Sequence, residues 1–404
     1  MKGNIKLVRL EGLSHSCAWD EKFTPAEAQR VRKFHATIPG YEATPLANLA
    51  NLAKILGLKS FHVKDESYRF GLNAFKCLGG SWCIANYIAS KIGIPESEIT
   101  FERLTMSDIR EKLGGVKFVT ATDGNHGRGI AWTAARLGFG SVVFMPKGTA
   151  PERLANIQAL GSDASITDMN YDDTVKHARA FADSHGWPLV QDTAFAGYEE
   201  IPALIMQGYM TMALEAAESL TESPTHIFLQ AGVGSMAGAL ASFFTNYYGH
   251  DAPIITIIEP NSADCIFRTA EANDGELHAV TGSLNTIMAG LACGIPCTIA
   301  WELLKSHAQN YVSMPDYVAA EGMRVIGNPM GDEMRIISGE SGASCAGFVY
   351  ELMRNDALDY MRKALNIDED SRVLCFSTEG DTDRENYRRV VWDGLYPGRW
   401  VCAE

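Results

Sequence analysis

The chain of 404 residues has no apolar run of the length needed to cross a bilayer as a helix. Nor does it have an excess of basic residues. Its 35 Lys and Arg face 49 Asp and Glu, a formal charge of −14, which argues against nucleic acid or an anionic lipid surface as a partner. Repeats, low-complexity tracts and long linkers are missing. The opening MKGNIKLVRLEGLSH lacks the apolar core of an export signal. The nine cysteines are odd in number and scattered, and Cys293 and Cys297 have no second cysteine pair or histidine cluster beside them. The expectation is reduced thiols, a cytoplasmic address and no zinc site. His15, His35, His62, His177 and His307 likewise lack ligand-like neighbours in sequence, so core or surface roles are expected of them. DMNYDDTVKHAR reads as a solvated helix start.

What remains is the composition of an ordinary globular protein, 46% apolar and 21% charged, and long enough for two cores. Short β-rich runs alternate with helical segments of about ten to fifteen residues, the pattern of βαβ units and parallel sheets. The strand-like runs are KFVTAT (117–122), SVVFMP (141–146), ASITDM, PLVQD (188–192), HIFLQ (226–230), PIITIIE (253–259) and RVLCFS (372–377). Two α/β lobes are the economical reading. Ligands of such sheets bind beyond the carboxyl ends of strands. The segments after 122, 192, 230 and 377 are all rich in Gly, Thr, Ser or Asp, which suggests one shared site.

Three constellations carry chemistry. In THIFLQAGVGSMAGAL a strand runs into Gly232, Val233, Gly234, Ser235 and Met236 before a helix opens. Glycines there let backbone N–H groups and a helix dipole meet a phosphate. Gly232, Gly234 and Ala237 also fit a G-x-G-x-x-A dinucleotide pattern, with Glu259 ending the next strand, so an NAD-dependent oxidoreductase is a rival. In TATDGNHGRG, Thr122, Asp123, Asn125 and His126 sit at a second strand–helix junction, where a single Asp or Asn could serve only as an N-cap. In QDTAFAGY, Asp192 ends a strand, and capping a helix near Tyr198 is as good an explanation as catalysis. Lys76, in NAFKCLGG, is framed by apolar and small residues rather than by an open charged face.

Together, ATPLANLANLAKILG, FHVKDESYRFGLNAFK, TDGNHGRG, AGVGSMAG and STEG resemble the tryptophan-synthase-β type of pyridoxal-phosphate enzymes, called fold type II. Their order holds over roughly residues 40–385. Within that family RFGLNAFK, ATDGNHGRGIAW, QDTAFAGYEEIP, TIMAGLACG and SGESGA look like an ammonia-lyase branch acting on a 2,3-diamino acid of either hand. The resemblance implies a two-lobed fold, each lobe an open, mostly parallel sheet flanked by helices. A large cofactor-binding domain would span 1–80 and 196–404, with 81–195 inserted as a small domain.

It further implies pyridoxal 5′-phosphate as cofactor, a small amino acid as substrate, and a homodimer. Lys76 would hold the cofactor through its ε-nitrogen. That amine must be neutral to attack an aldehyde, so burial beside Phe75 would have to lower it from about 10.4. The loop Gly232–Met236 would hold the phosphate, Asn125 the ring hydroxyl, and Thr378, or its neighbour Ser377, the pyridine nitrogen. Lys76 would take the α-proton of the L-isomer and Asp123, where the dehydratases have serine, that of the D-isomer. Asp192 would assist, and Thr122, Asp123, His126, Asp192 and Glu340 would line the substrate. A serine/threonine dehydratase is the alternative within the same family.

Overall fold

The computed structural model describes residues 4–122 and 124–398. The chain divides into two compact units, one formed by Met1–Pro25, Ala43–Asn73 and Met212–Glu404, the other by Ala26–Glu42 and Ala74–Thr211.

The larger unit is built on seven strands in the order β1-β9-β8-β7-β10-β3-β2. These are β1 (Lys6–Arg9), β2 (Leu46–Asn48), β3 (Ser60–Asp65), β7 (His226–Gln230), β8 (Ile254–Pro260), β9 (Asn310–Met314) and β10 (Arg372–Ser377). The five inner strands run parallel, and the two edge strands, β1 and β2, are antiparallel to their neighbours. HIFLQ is buried at every residue, as an interior parallel strand covered on both faces requires. The exposed ends of β1 are Lys6 and Arg9, charges that discourage further pairing at an open edge.

The smaller unit carries β4 (Lys117–Ala121), β5 (Gly140–Met145) and β6 (Asp163–Ile166), all parallel. PLVQD is not a full strand, but Leu189 bridges Val119 in parallel and Val190 N–H donates to the Val119 carbonyl at 2.7 Å. Two core layers cover this sheet, one around Phe144 and Ala178, the other around Val143 and Ile157.

The unit boundaries fall at 73/74 and 211/212 rather than at 80/81 and 195/196. The reason lies in three glycines of the smaller unit. The helix Cys77–Ile92 packs so closely on the helices Asn125–Leu137 and Glu200–Ser219 that a Cβ on Gly129 would meet the Cys77 nitrogen at 2.9 Å. One on Gly79 would meet Ile205 at 2.7 Å, and one on Gly208 the Leu78 carbonyl at 2.4 Å. Residues 26–42 join the same unit through His35, fully buried, whose Nδ1 meets Thr211 Oγ1 at 2.7 Å and whose Nε2 meets the Leu78 carbonyl at 3.0 Å. Among the described residues no helix is long and apolar enough to cross a membrane, and no disulfide joins the eight described cysteines.

Candidate active site

Lys76 is the N-cap of the helix Cys77–Ile92, held by the glycine-mediated packing just described. Gly79 and Gly80, which follow it in sequence, serve that packing: a Cβ on Gly80 would already touch Ile130 at 3.0 Å. The lysine side chain keeps 23% of its surface exposed, and its Nζ lies 5.7 Å from the centre of the Phe75 ring. Its surroundings are not the purely apolar pocket expected from Phe75, because Asp192 Oδ2 accepts from Nζ at 2.5 Å. Phe75 in turn rests against Tyr209, ring centroids 4.7 Å apart.

Asp192 does not cap a helix. The next helix starts at Glu200, and the carboxylate points at Lys76 and at His126, whose Nδ1 is 3.8 Å away. Burial by itself would raise this carboxyl, but Lys76 first and His126 next outweigh it and hold the group well below the usual carboxylate range. His126 Nε2–H donates to the Val190 carbonyl at 2.8 Å, which fixes the ring beside the same strand end. Gln191 anchors the segment by accepting from Ala121 N and Thr120 Oγ1, both at 3.1 Å. The ends of 117–122 and 188–192 therefore meet, as their compositions suggested.

Thr122 is buried, and its hydroxyl oxygen accepts from Gly124 N at 3.0 Å and Gly127 N at 3.2 Å. It shapes the turn that starts the helix Asn125–Leu137, and Asn125 is that helix's first residue. Asp123 lies outside the described residues.

The larger unit supplies the second group. Gly234 has a φ of +94° and opens the helix Ser235–Tyr248, which no side chain caps. A Cβ on Gly232 would meet Cys293 Sγ at 3.1 Å and the Gly290 carbonyl at 3.2 Å. The loop is thus a backbone cradle at an uncapped helix start, suited to a phosphate. Glu259, the residue a dinucleotide reading would assign to a ribose, is buried and accepts from Ile266 N at 2.9 Å and Phe267 N at 2.6 Å. Its carboxylate is occupied at the start of the helix Cys265–Ala272, which removes the main support for NAD.

The ends of β7 and β10 also meet. Gln230 Nε2 donates to Thr378 Oγ1 at 2.9 Å, which leaves the threonine proton to be offered elsewhere. Ser377 Oγ instead donates to Ser338 Oγ at 2.8 Å. Glu340 begins the helix Glu340–Arg354 and accepts from Asn386. Burial, then the neighbouring Glu379, push its carboxyl up to about 7.

Sequence reasoning missed the purpose of VKDESYRF. Lys64, Glu66, Arg69 and Glu215 form a buried, charge-balanced group around Thr44. Lys64 Nζ donates to the Thr44 carbonyl and to Glu215 Oε2, both at 2.6 Å, so the TPL segment is tied to the end of β3. Only Glu66 and Arg69, three apart, could have been paired from sequence. Beyond the short helix that follows, Asn73 adopts φ +58° and its Nδ2 donates to Asp381 at 3.1 Å, while Gly380 N–H donates to its carbonyl at 3.0 Å. Asn73 is thereby pinned to the loop that carries Thr378.

The smaller unit thus presents a lysine at a helix start, and the larger unit a glycine loop at an uncapped helix start and a hydroxyl at a strand end. The chain belongs to the pyridoxal-phosphate-dependent enzyme family, whose pattern matches residues 37–378. It is 48% identical over 369 residues to a diaminopropionate ammonia-lyase of Salmonella typhimurium, covering 90% of this chain and 91% of that one. The holo diaminopropionate ammonia lyase of Escherichia coli superposes with a TM-score of 0.90 at 42% identity, covering 98% of both chains. The same enzyme solved in complex with D-serine gives the same TM-score, identity and coverage.

Proposed function

We propose that the chain catalyses the pyridoxal-phosphate-dependent α,β-elimination of 2,3-diaminopropionate, D or L, to pyruvate and two ammonia. The observation that carries this reading is the Lys76–Asp192 pair, Nζ to Oδ2 at 2.5 Å, at the head of a tightly packed helix in a chain so similar to diaminopropionate ammonia-lyases. When bound, the cofactor supplies an electron sink conjugated to the substrate's α-carbon.

The protein supplies the rest. Lys76 would hold the cofactor, and its amine would be the group that takes the α-proton of the L-isomer. Asp123 takes it from the D-isomer. Asp192, kept ionised by its cationic neighbours, holds Lys76 in place and offers a carboxylate to the substrate's β-ammonium. His126 orients Asp192. The backbone of Gly232–Met236 receives the phosphate, and Asn125 the ring hydroxyl. Thr378, with its proton uncommitted, would donate to the pyridine nitrogen, whereas the Ser377 proton is given to Ser338. A neutral hydroxyl there, unlike a carboxylate, would leave that nitrogen largely unprotonated and so would suit loss of the β-group. Thr122 acts by shaping the turn, and Glu340 borders the substrate through the Thr378 loop. The enzyme works as a homodimer in the cytoplasm.

The test is a visible spectrum of the purified protein with diaminopropionate and serine turnover measured beside it. The absorbance of lysine-bound cofactor, its loss with borohydride, and faster pyruvate release from diaminopropionate than from serine are expected. Lys76→Ala should abolish both the absorbance and turnover. A colourless protein, or one faster on serine, overturns the reading.

A further inference from the structure

In the larger unit Cys17 and Asp20, three residues apart, meet His307, 287 positions beyond Asp20. Cys17, Asp20 and His307 place one ligand atom each within 4.8 Å of one another. His307 ends the helix Thr298–His307 and is wholly buried, and its Nε2–H donates to Asp20 Oδ1 at 2.7 Å. Its Nδ1 has no partner, so Asp20 alone holds the imidazole by hydrogen bonding. Cys17 Sγ lies 3.6 Å from the same Oδ1, and Cys17 N–H donates to Oδ2 at 2.7 Å. Ser242 Oγ completes the group, donating to Oδ1 at 2.8 Å.

We propose that Cys17, Asp20 and His307 bind a zinc-like divalent cation, with water in the fourth position. Thiolate, imidazole and carboxylate are the donor set such a cation selects. Metal–ligand distances of about 2.3 Å to sulfur and 2.0 Å to nitrogen or oxygen, at tetrahedral angles, put S···O near about 3.5 Å and N···O near about 3.3 Å. The observed S···O separation of 3.6 Å already fits, and the N···O separation of 2.7 Å must open by about 0.6 Å. Cys17 is only partly buried, so an ion can reach it. His307 lies 287 positions from Asp20, a separation that no spacing rule reads as a zinc site.

Binding would join the segment before Pro25 to two helices. That segment already docks through His15 N–H to the Ser306 carbonyl at 3.0 Å. The helix ending at His307 touches the helix Ser235–Tyr248 so closely that a Cβ on Gly238 would meet the Ala300 carbonyl at 3.0 Å. The cation would therefore clip together the support beneath the glycine cradle.

The experiment titrates metal-stripped holoenzyme with zinc ion against a chromophoric chelator, for the unaltered chain and for Cys17→Ser. That substitution keeps the backbone bond to Asp20 and the Asp20–His307 contact, so the fold is retained. About one zinc per chain, bound about tenfold or more weaker by Cys17→Ser, is expected, together with a zinc-dependent rise in thermal midpoint in the unaltered chain only. No stoichiometric binding, or equal binding by Cys17→Ser, overturns the proposal. Neither outcome bears on the elimination chemistry, which uses none of these residues.

Discussion

Glu340→Gln isolates one buried proton. Glu340 is 4% exposed, shares its surroundings with Glu379 and Asp383, and is pushed by burial and then by Glu379 from 4.5 up to about 7. The folded chain thus holds this proton more tightly than the unfolded chain does. Below about pH 4.5 the group is protonated in both states and contributes no difference. As pH rises towards 7 the unfolded state gives up the proton first, so stability falls, and it levels off above 7. At about 1.4 kcal/mol per tenfold change in proton affinity, the whole span is about 3 kcal/mol. Glutamine keeps the oxygen that accepts from Asn386 and cannot ionise. Urea midpoints of wild type and Glu340→Gln, read on holoenzyme at several pH values from 5 to 8, should therefore diverge. The variant gains on wild type as pH rises, by about 1–3 kcal/mol across the range. A difference that stays constant, or that favours wild type at pH 8, refutes the argument.

Asp123→Asn should lose turnover of the D-isomer by about 10²–10⁴ while the L-isomer falls far less, measured as pyruvate release from each; equal losses would remove the two-base assignment. Gly208→Ala drives a methyl into the backbone of Leu78 and Gly79, at 2.4 and 2.6 Å, neither of which is a flexible side-chain end. A loss of about 1–3 kcal/mol or more in urea unfolding is expected, with weakened cofactor retention as Lys76 shifts; an unchanged midpoint would show that this helix pair is not closely constrained.

The parallel strands were legible because fully buried strands are continuous apolar runs, as HIFLQ and RVLCFS show, and because each ends in a polar, glycine-rich turn. The edges were not. β1 and β2 span four and three residues, too short for any periodicity to register. PLVQD reads as a strand but makes only one bridge, since Pro188 supplies no N–H and Gln191 satisfies the sheet with its side chain instead. The unit boundaries were hidden in glycines whose spacing has no meaning until the helices they separate are known. At the site, Lys76 and the glycine loop stood out by type and context, but the choice between Thr378 and Ser377 rests on which hydroxyl proton is already given away. Sequence cannot show that. Nor could it show that Asp192 answers Lys76 across 116 positions.

In the seven-stranded sheet, β10 lies between β7 and β3, yet it comes after all the other described strands in sequence. Until Arg372–Ser377 leaves the ribosome, β2 and β3 have no route to β7, and the apolar flanks of Phe61, Val63 and Phe228 stand open. Assembly of this sheet must therefore wait for β10. A ribosome stalled before codon 372 would leave a product that aggregates rather than a shorter working enzyme.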